Sequence, residues 1–407
     1  MRFVKLNKKI LRVLGNILLL FISIGCSLLI LEFATLNIKK DYEKYEALKY
    51  PPWGTPSAKG TWASRGDYIN TVINNSEGFH DFQRDIKKHT RIRIAFLGDS
   101  FVEAWQVPRE KMHYNIVSSM LNKKFGNDFS ESMGFGRSGA SILEYTNYYH
   151  QLATKYNNDI IVVMLYIMND FENNFYEYSL KRGYLPQFAR NKYGDIVSFS
   201  EAYPDIFNKF HKNKPIKNNN TYSSIGNIIK THMPGTFFML NEASKNNYKL
   251  YSILNKLGIL ANKKKREEIS SHSLILLKDP PSFVNNAIEF TLKNIALLKD
   301  QVIKDGKEFL LVLVPGDYID KNNFNMMLEN YPKTKHLNFD PDNRHRILAE
   351  RLKNLNIEFI DLLSIFRDRY KKDGDYPFFN HDKHLSEAGH RIAAEVVASF
   401  LENKISE

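Results

Sequence analysis

The chain of 407 residues has a single cysteine, Cys26, so it can form no internal disulfide and holds no cysteine-based metal site. No repeat period is present, which excludes solenoids and propellers. Acidic excess is also missing: 57 Lys and Arg stand against 45 Asp and Glu, a net charge of +12. Such a balance suits nucleic acid, an anionic membrane surface or an acidic polymer. The basic residues are scattered, however, and the run Lys263 to Arg266 is followed at once by Glu267 and Glu268. That is the pattern of a solvated helix face, so no nucleic-acid partner is expected. With 43% hydrophobic and 25% charged residues, the chain is globular rather than disordered.

One stretch lacks charge altogether. From Val13 to Leu31 the sequence VLGNILLLFISIGCSLLIL has no ionisable acid or base, and Arg2, Lys5, Lys8, Lys9 and Arg12 precede it. At about 1.5 Å per residue this run spans roughly 28 Å as a helix, close to the hydrocarbon thickness of a bilayer. A cleaved signal peptide would have a shorter core and a small-residue cleavage site, which Glu32-Phe33-Ala34-Thr35 does not offer. A lipoprotein signal ending at Cys26 would place Ser23 where leucine is usual. The expectation is an uncleaved single-pass anchor, with the N-terminus cytoplasmic by the positive-inside rule and everything after Ile38 outside. The segments are then a basic tail (1–12), a transmembrane anchor (13–33) and a stalk or collar (34–90). The last is turn-rich at YPPWGTPSAKG.

Beyond residue 90 strands and helices alternate. Ile92 to Leu97 is an apolar strand, Arg109 to Phe125 suits a helix, and Phe129 to Met133 is a short strand. Ile142, Tyr145, Tyr149, Leu152 and Tyr156 recur at helical spacing, and DIIVVMLYIM (159–168) reads as a strand buried on both faces. The rhythm stops over 176–285, which is rich in Lys, Asn and Tyr, and reads as a partly helical insertion suited to a substrate cap. It resumes over 286–402, with a helix from Ala287 to Ile303, the strand FLLVLVPG, a helix begun by Asp340-Pro341, the strand IEFIDLL and a final helix capped by Ser386. Residues 91–175 and 286–402 thus form one α/β domain in two parts, built on a parallel sheet with right-handed crossovers.

In such sheets ligands sit beyond the carboxyl ends of the strands. Gly98-Asp99-Ser100 follows the first strand, GFGRSGAS the second and Asn169-Asp170 the third; NHDKHLSEAGH precedes the last helix. A serine hydroxyl needs a base, histidine supplies one near neutral pH, and an acid fixes its tautomer. Backbone N–H groups and an asparagine amide can stabilise an oxyanion. Each motif also has a plainer explanation. Gly-Asp-Ser is common in turns, Asn169-Asp170 suits a helix N-cap, and His381 with His384 has no third ligand to make a metal site. Joint placement after predicted strands favours chemistry. The Gly-x-Ser-x-Gly signature is absent, because Val102 occupies the second glycine position.

These blocks resemble the SGNH (GDSL) hydrolase family. FLGDSFVEAWQVP is similar to its first block, GFGRSGAS to its glycine block, MNDFENN to its asparagine block and DKHLSEAGH to its histidine block. NNSEGFHD resembles the lead-in of membrane-anchored members. The resemblance covers 74–171 and about 287–400, not the insertion. It implies a flavodoxin-like, five-stranded parallel sheet. It also implies Ser100 as nucleophile, His384 as base and Asp382 as its partner, with the N–H groups of Ser100 and Gly136 and the amide of Asn169 as oxyanion hole. Three positions depart from the common pattern: Ile167 stands where glycine is frequent, Gly134 where asparagine is frequent, and Asp382 precedes His384 by two residues, as in polysaccharide O-acetyltransferase relatives. None removes a reacting atom.

The expected function is a membrane-anchored, extracytoplasmic serine esterase. It would act on ester-linked acyl groups, of cell-envelope glycans or small esters, with no cofactor and no metal. The alternatives are an O-acyltransferase on a cell-surface polysaccharide, which would need a membrane partner to supply acyl groups, and a non-catalytic glycan-binding or assembly subunit.

Overall fold

The computed structural model describes residues 8–48, 54–64, 66–180, 184–212, 224–245, 248–257, 259–260, 271–329, 331, 334 and 336–406. Arg2, Lys5 and the cluster from Lys263 to Arg266 lie outside these. Two compact units emerge. One comprises described residues within 1–47, 217–267 and 329–331, the other those within 48–216, 268–328 and 332–407.

The first unit is organised on one helix, Lys8–Leu48. Its Gly15–Asp41 segment is long and apolar enough to cross a membrane. A core helix of that composition would hide its side chains, yet Leu19, Phe21, Leu29 and Phe33 stand 65% to 71% exposed. The helix runs on through 34–48 rather than ending with the apolar run. Glu32 is buried, and its carboxylate accepts from the N–H groups of Gly235 (2.8 Å) and Thr236 (2.9 Å) and from the Thr236 hydroxyl (2.7 Å). Those amides open the helix Pro234–Lys245, where intrahelical acceptors are lacking and negative charge is favoured. A Cβ at Gly235 would lie 2.4 Å from the Leu36 nitrogen, so glycine permits this close helix crossing. Phe237, Leu254 and Leu260 form a small apolar centre among the helices Pro234–Lys245 and Tyr248–Lys256 and the turn after them.

The second unit holds the sheet. Strands β1 (Lys59–Ser64) and β2 (Tyr68–Ile73) make an antiparallel hairpin. Strands β3 (Ile92–Gly98), β4 (Ser130–Gly136) and β5 (Ile160–Tyr166) precede a short hairpin, β6 (Phe188–Arg190) and β7 (Ile196–Ser198). Strands β8 (Glu308–Val314) and β9 (Phe359–Asp361) follow. The main sheet is fully parallel in the order β4-β3-β5-β8-β9, which is the flavodoxin-like arrangement. Its centre is dry: Ile94 to Leu97, Ile161 to Leu165 and Leu311 to Val314 are at most 1% exposed. Runs apolar at successive positions follow from burial on both faces.

The 176–285 segment divides between the units. Residues 184–212 fall in the second, where Arg190 donates from Nε to Asn294 (2.6 Å) and Tyr176, Phe199 and Tyr203 cluster. Residues 224–260 fall in the first. Residues 271–277 return to the core of the second: Ile275 and Leu276 are fully buried, and the Arg344 guanidinium donates to the carbonyls of Ile275 (2.6 Å) and Leu277 (2.9 Å).

Arg93 sits inside β3 with no exposed surface. Its guanidinium donates to Glu131 Oε1 (2.6 Å) and to the carbonyls of Asp85 (2.7 Å), Ile86 (3.0 Å), Lys87 (3.0 Å) and Tyr156 (2.8 Å). One buried cation thus ties the lead-in, β3, β4 and the turn before β5 together. Removing it strands a carboxylate and four carbonyls. We expect Arg93→Ala to lower the unfolding free energy by about 3–5 kcal/mol, measured as a fall in denaturation midpoint; Glu131→Gln should cost less, because the amide oxygen still accepts.

Candidate active site

The carboxyl ends of β3 and β4 are paired glycine to glycine, Gly98 against Gly136. A Cβ on Gly98 would lie 2.4 Å from a Val102 methyl, and one on Gly136 would lie 2.3 Å from the Glu103 nitrogen. Both positions therefore let the short helix Ser100–Glu103 lie directly on the strand ends. The sequence reads Gly136 as an N–H donor to an oxyanion; packing also demands glycine there, because the backbone of Val102 and Glu103 fills the space a Cβ would take. Asp99 caps this helix by accepting from the Phe101 N–H (3.0 Å). Ser100 is thus the first helical residue, on the rim.

The loop 379–386 faces it. The His384 Nε2 lies 2.8 Å from the Ser100 hydroxyl, and its Nδ1 is hydrogen-bonded to Asp382 Oδ1. Lys383 between them has φ +68, a left-handed turn that lets side chains two residues apart meet. Its ammonium pairs with Asp317 at 2.6 Å. His381 is exposed and its ring faces the turn at Gly66.

Asn169 comes from the turn after β5. It stands at the N-cap of Asp170–Asn174 without capping it; instead its amide donates to Asp99 Oδ2 (3.2 Å). One amide hydrogen is left for other use. The neighbouring Asp170 is buried and accepts from the Tyr145 hydroxyl and the Tyr166 N–H, both at 2.9 Å. The lead-in NNSEGFHD braces the second strand. Asn75 accepts from the N–H groups of Glu77 and Phe79, and Asp81 then accepts from the Gly134 N–H at 3.1 Å. Gly134 is required because the Tyr114 ring fills the space its Cβ would take, 2.5 Å away. Ile167, where glycine is frequent in the resembling family, is fully buried.

Three residues beside the pair were not singled out in the sequence, although Gln106 lies within the first block. The Tyr68 hydroxyl, from β2, is hydrogen-bonded to Asp382 Oδ2. The Asp67 carboxylate accepts from the N–H groups of Asn380 (3.1 Å), His381 (2.9 Å) and Asp382 (2.9 Å). Gln106 approaches Asp382 Oδ1 at 3.5 Å. Gly66-Asp67 reads as a plain turn, and over three hundred residues separate it from the loop it holds.

Burial opposes charge on His384, but the hydrogen bond and negative charge of Asp382, with Asp99 and Glu103 nearby, outweigh it and raise the imidazole pKa. Burial likewise opposes ionisation of Asp382, but hydrogen bonds from His384 and Tyr68 hold its carboxyl below the usual range. Burial dominates at Asp99 and raises it despite its donors. The same cause pushes Glu103 up to about 7, against hydrogen bonds from Ser138.

Residues 278–407 match the family model for the SGNH hydrolase-like domain of the acetyltransferase AlgX. The match contains β8, β9 and the histidine block, while the serine, glycine and asparagine blocks lie before it. Solved structures similar to this chain include the acetyl xylan esterase AlAXEase, at 13% identity over 76% of this chain and 100% of that one with a TM-score of 0.36. A lipase/acylhydrolase from Enterococcus faecalis is similar at 8% identity over 77% and 96%, TM-score 0.36. A catalytic mutant of the acetylxylan esterase Axe2 from Geobacillus stearothermophilus is similar at 12% over 76% and 94%, TM-score 0.37. Among curated proteins none matches. The parallel sheet of order β4-β3-β5-β8-β9 and the matched segment together give an SGNH hydrolase-like fold.

Glu103 offers a direct check of this electrostatic arrangement. An acid whose pKa is higher folded than unfolded binds a proton more readily in the folded state, so its contribution to stability falls as pH rises from about 4.5 to about 7. Glu103→Gln keeps an acceptor for Ser138 and removes the titration. Its stability relative to wild type should therefore rise across that window, read as the difference in melting temperature at pH 5 and pH 8; a constant difference would contradict a buried, raised carboxyl.

Proposed function

We propose that this protein is a serine esterase that removes acyl groups from ester-linked glycans through an acyl-enzyme on Ser100. The observation that carries the proposal is the continuous contact from the Ser100 hydroxyl to His384 Nε2 (2.8 Å) and from His384 Nδ1 to Asp382. In the proposed first step the Ser100 oxygen attacks the ester carbonyl as His384 takes the hydroxyl proton. Asp382 steadies the imidazolium and holds its tautomer. The resulting oxyanion is met by the N–H groups of Ser100 and Gly136 and by the second amide hydrogen of Asn169. His384 then gives its proton to the departing sugar oxygen, the C–O bond breaks, and the acyl group stays on Ser100. Water repeats the sequence in reverse and releases the acid.

The His384 side chain is 28% exposed, so water can reach the base, which favours hydrolysis. The second reading is O-acetyl transfer, favoured by the matched acetyltransferase family. There a sugar hydroxyl replaces water, and a membrane partner would supply the acyl donor. The apolar helix supports a single-pass anchor with the catalytic unit outside the cytoplasm. A reporter active only outside the cytoplasm, fused after Glu407, should then be active.

The chemistry is tested on full-length protein in detergent with p-nitrophenyl acetate. Ser100→Ala should lose at least about a thousandfold in kcat and no longer take a fluorophosphonate label. Asn169→Ala should lose about a hundred- to a thousandfold in kcat, with KM changed much less. A base works only when neutral, so kcat/KM should fall as pH drops through the His384 pKa, with a midpoint above the ordinary imidazole value of about 6.5. Wild-type turnover by Ser100→Ala would end both readings. Adding millimolar oligosaccharide decides between them: free acetate as the main product supports the esterase, and acetylated sugar replaces it with the transferase.

A further inference from the structure

The β1–β2 hairpin lies before the first motif of the α/β domain, in the segment whose sequence reads as stalk. Its turn and second strand nevertheless touch the acid of the candidate triad and the loop that carries it. The Asp67 carboxylate collects three successive N–H groups, those of Asn380, His381 and Asp382. The Tyr68 hydroxyl is bonded to Asp382 Oδ2, while His384 takes Oδ1. The Tyr68 ring packs on Phe379 at 4.8 Å between centroids, and Phe379 closes the loop by donating its N–H to the His384 carbonyl at 2.9 Å.

Asp67 and the Phe379 N–H fix the backbone of this loop, but they do not choose which oxygen of the Asp382 carboxylate faces His384. Its two oxygens are equivalent until something distinguishes them. We propose that Tyr68 is a positioning residue for the acid–base pair: by occupying Oδ2 it leaves Oδ1, which Gln106 approaches only at 3.5 Å, to orient His384 toward Ser100. The proposal rests on the serine-enzyme reading above. A hydrogen bond to Oδ2 also spreads the carboxylate charge, which moderates how strongly Asp382 raises the imidazole. Other charges face the same pair. Asp67 comes from the hairpin, Asp99 and Glu103 from the end of β3 and its helix, and the Lys383–Asp317 pair and His381 from the loop. None is altered by removing one phenolic oxygen.

Tyr68→Phe in the full-length protein deletes that oxygen and keeps the ring on Phe379. We expect kcat for p-nitrophenyl acetate to fall about ten- to a hundredfold, part of what a general base supplies, with KM within about threefold and the melting temperature nearly unchanged. The acid limb of kcat/KM should move upward by about half a unit to one unit. Tyr68→Ala should show the same kcat loss together with a lower melting temperature. A purely structural hairpin predicts the opposite pattern, with Phe like wild type and only Ala impaired. A readout independent of turnover is the titration of the His384 imidazole by carbon-13 NMR, assigned through His384→Gln. Its pKa should be higher in Tyr68→Phe than in wild type. Wild-type kcat, acid limb and imidazole pKa in Tyr68→Phe overturn the proposal. If Ser100→Ala turns over normally, the proposed function fails instead, and the NMR titration alone still decides whether Tyr68 governs the pair.

Discussion

Where the reactive serine can stand depends on the contact of Gly98 and Gly136 across β3 and β4. Only two residues without Cβ atoms let the helix Ser100–Glu103 rest on the strand ends, because Val102 and Glu103 occupy the space that side chains would need. With that helix in place, Ser100 stands at the rim and Asp99 is driven inward as the cap. The remainder of the site meets a serine whose position is already set by backbone packing rather than by flexible side-chain contacts.

A second theme is the number of acids placed under this rim. Asp81, Asp99, Glu103, Glu144 and Asp170 are all buried, and each has a hydroxyl, an amide or a backbone N–H to accept from. Unpaired, they would be costly in a low-dielectric interior. Bonded, they act as rigid pins: Asp81 holds Gly134, Glu103 holds Ser138, Asp170 holds the end of β5, and Asp99 turns the Asn169 amide. The negative potential of Asp99 and Glu103 also favours a charged imidazole at His384. Two of the same pins therefore shape the loops and tune the base.

The first unit follows a different logic. Glu32, at the end of an apolar run, would be an unfavourable residue on a lipid-facing helix, yet it is buried against the first amides of Pro234–Lys245. A helix N-terminus is one of few partners that can satisfy a carboxylate with backbone alone. Residues far apart in the chain thus meet because one has surplus acceptors and the other surplus donors.

The α/β rhythm, the five strands and the four motif-bearing loops were legible because burial on both faces writes itself as unbroken apolar runs, as at 160–166 and 309–314. The blocks that hold Ser100, Asn169 and His381 to His384 could be singled out because each follows a strand or precedes the last helix; the choice of His384 as base and Asp382 as its partner came from the resemblance to the SGNH family. The hairpin's part could not be read: Asp67 and Tyr68 look like ordinary turn and strand residues, and their partners lie at 380–382. Gly136 was singled out as an oxyanion donor; that packing also demands glycine there was invisible. The division of 176–285 was likewise invisible, since Lys, Asn and Tyr there show no period that distinguishes residues packed on Glu32 from those packed under Arg344. Sequence determined which segments form the strands of the main sheet and the helices between them, since periodicity and capping are local. Tertiary structure alone decided which acid is held by which distant donor, because a hydrogen bond between residues three hundred positions apart leaves no pattern in either neighbourhood.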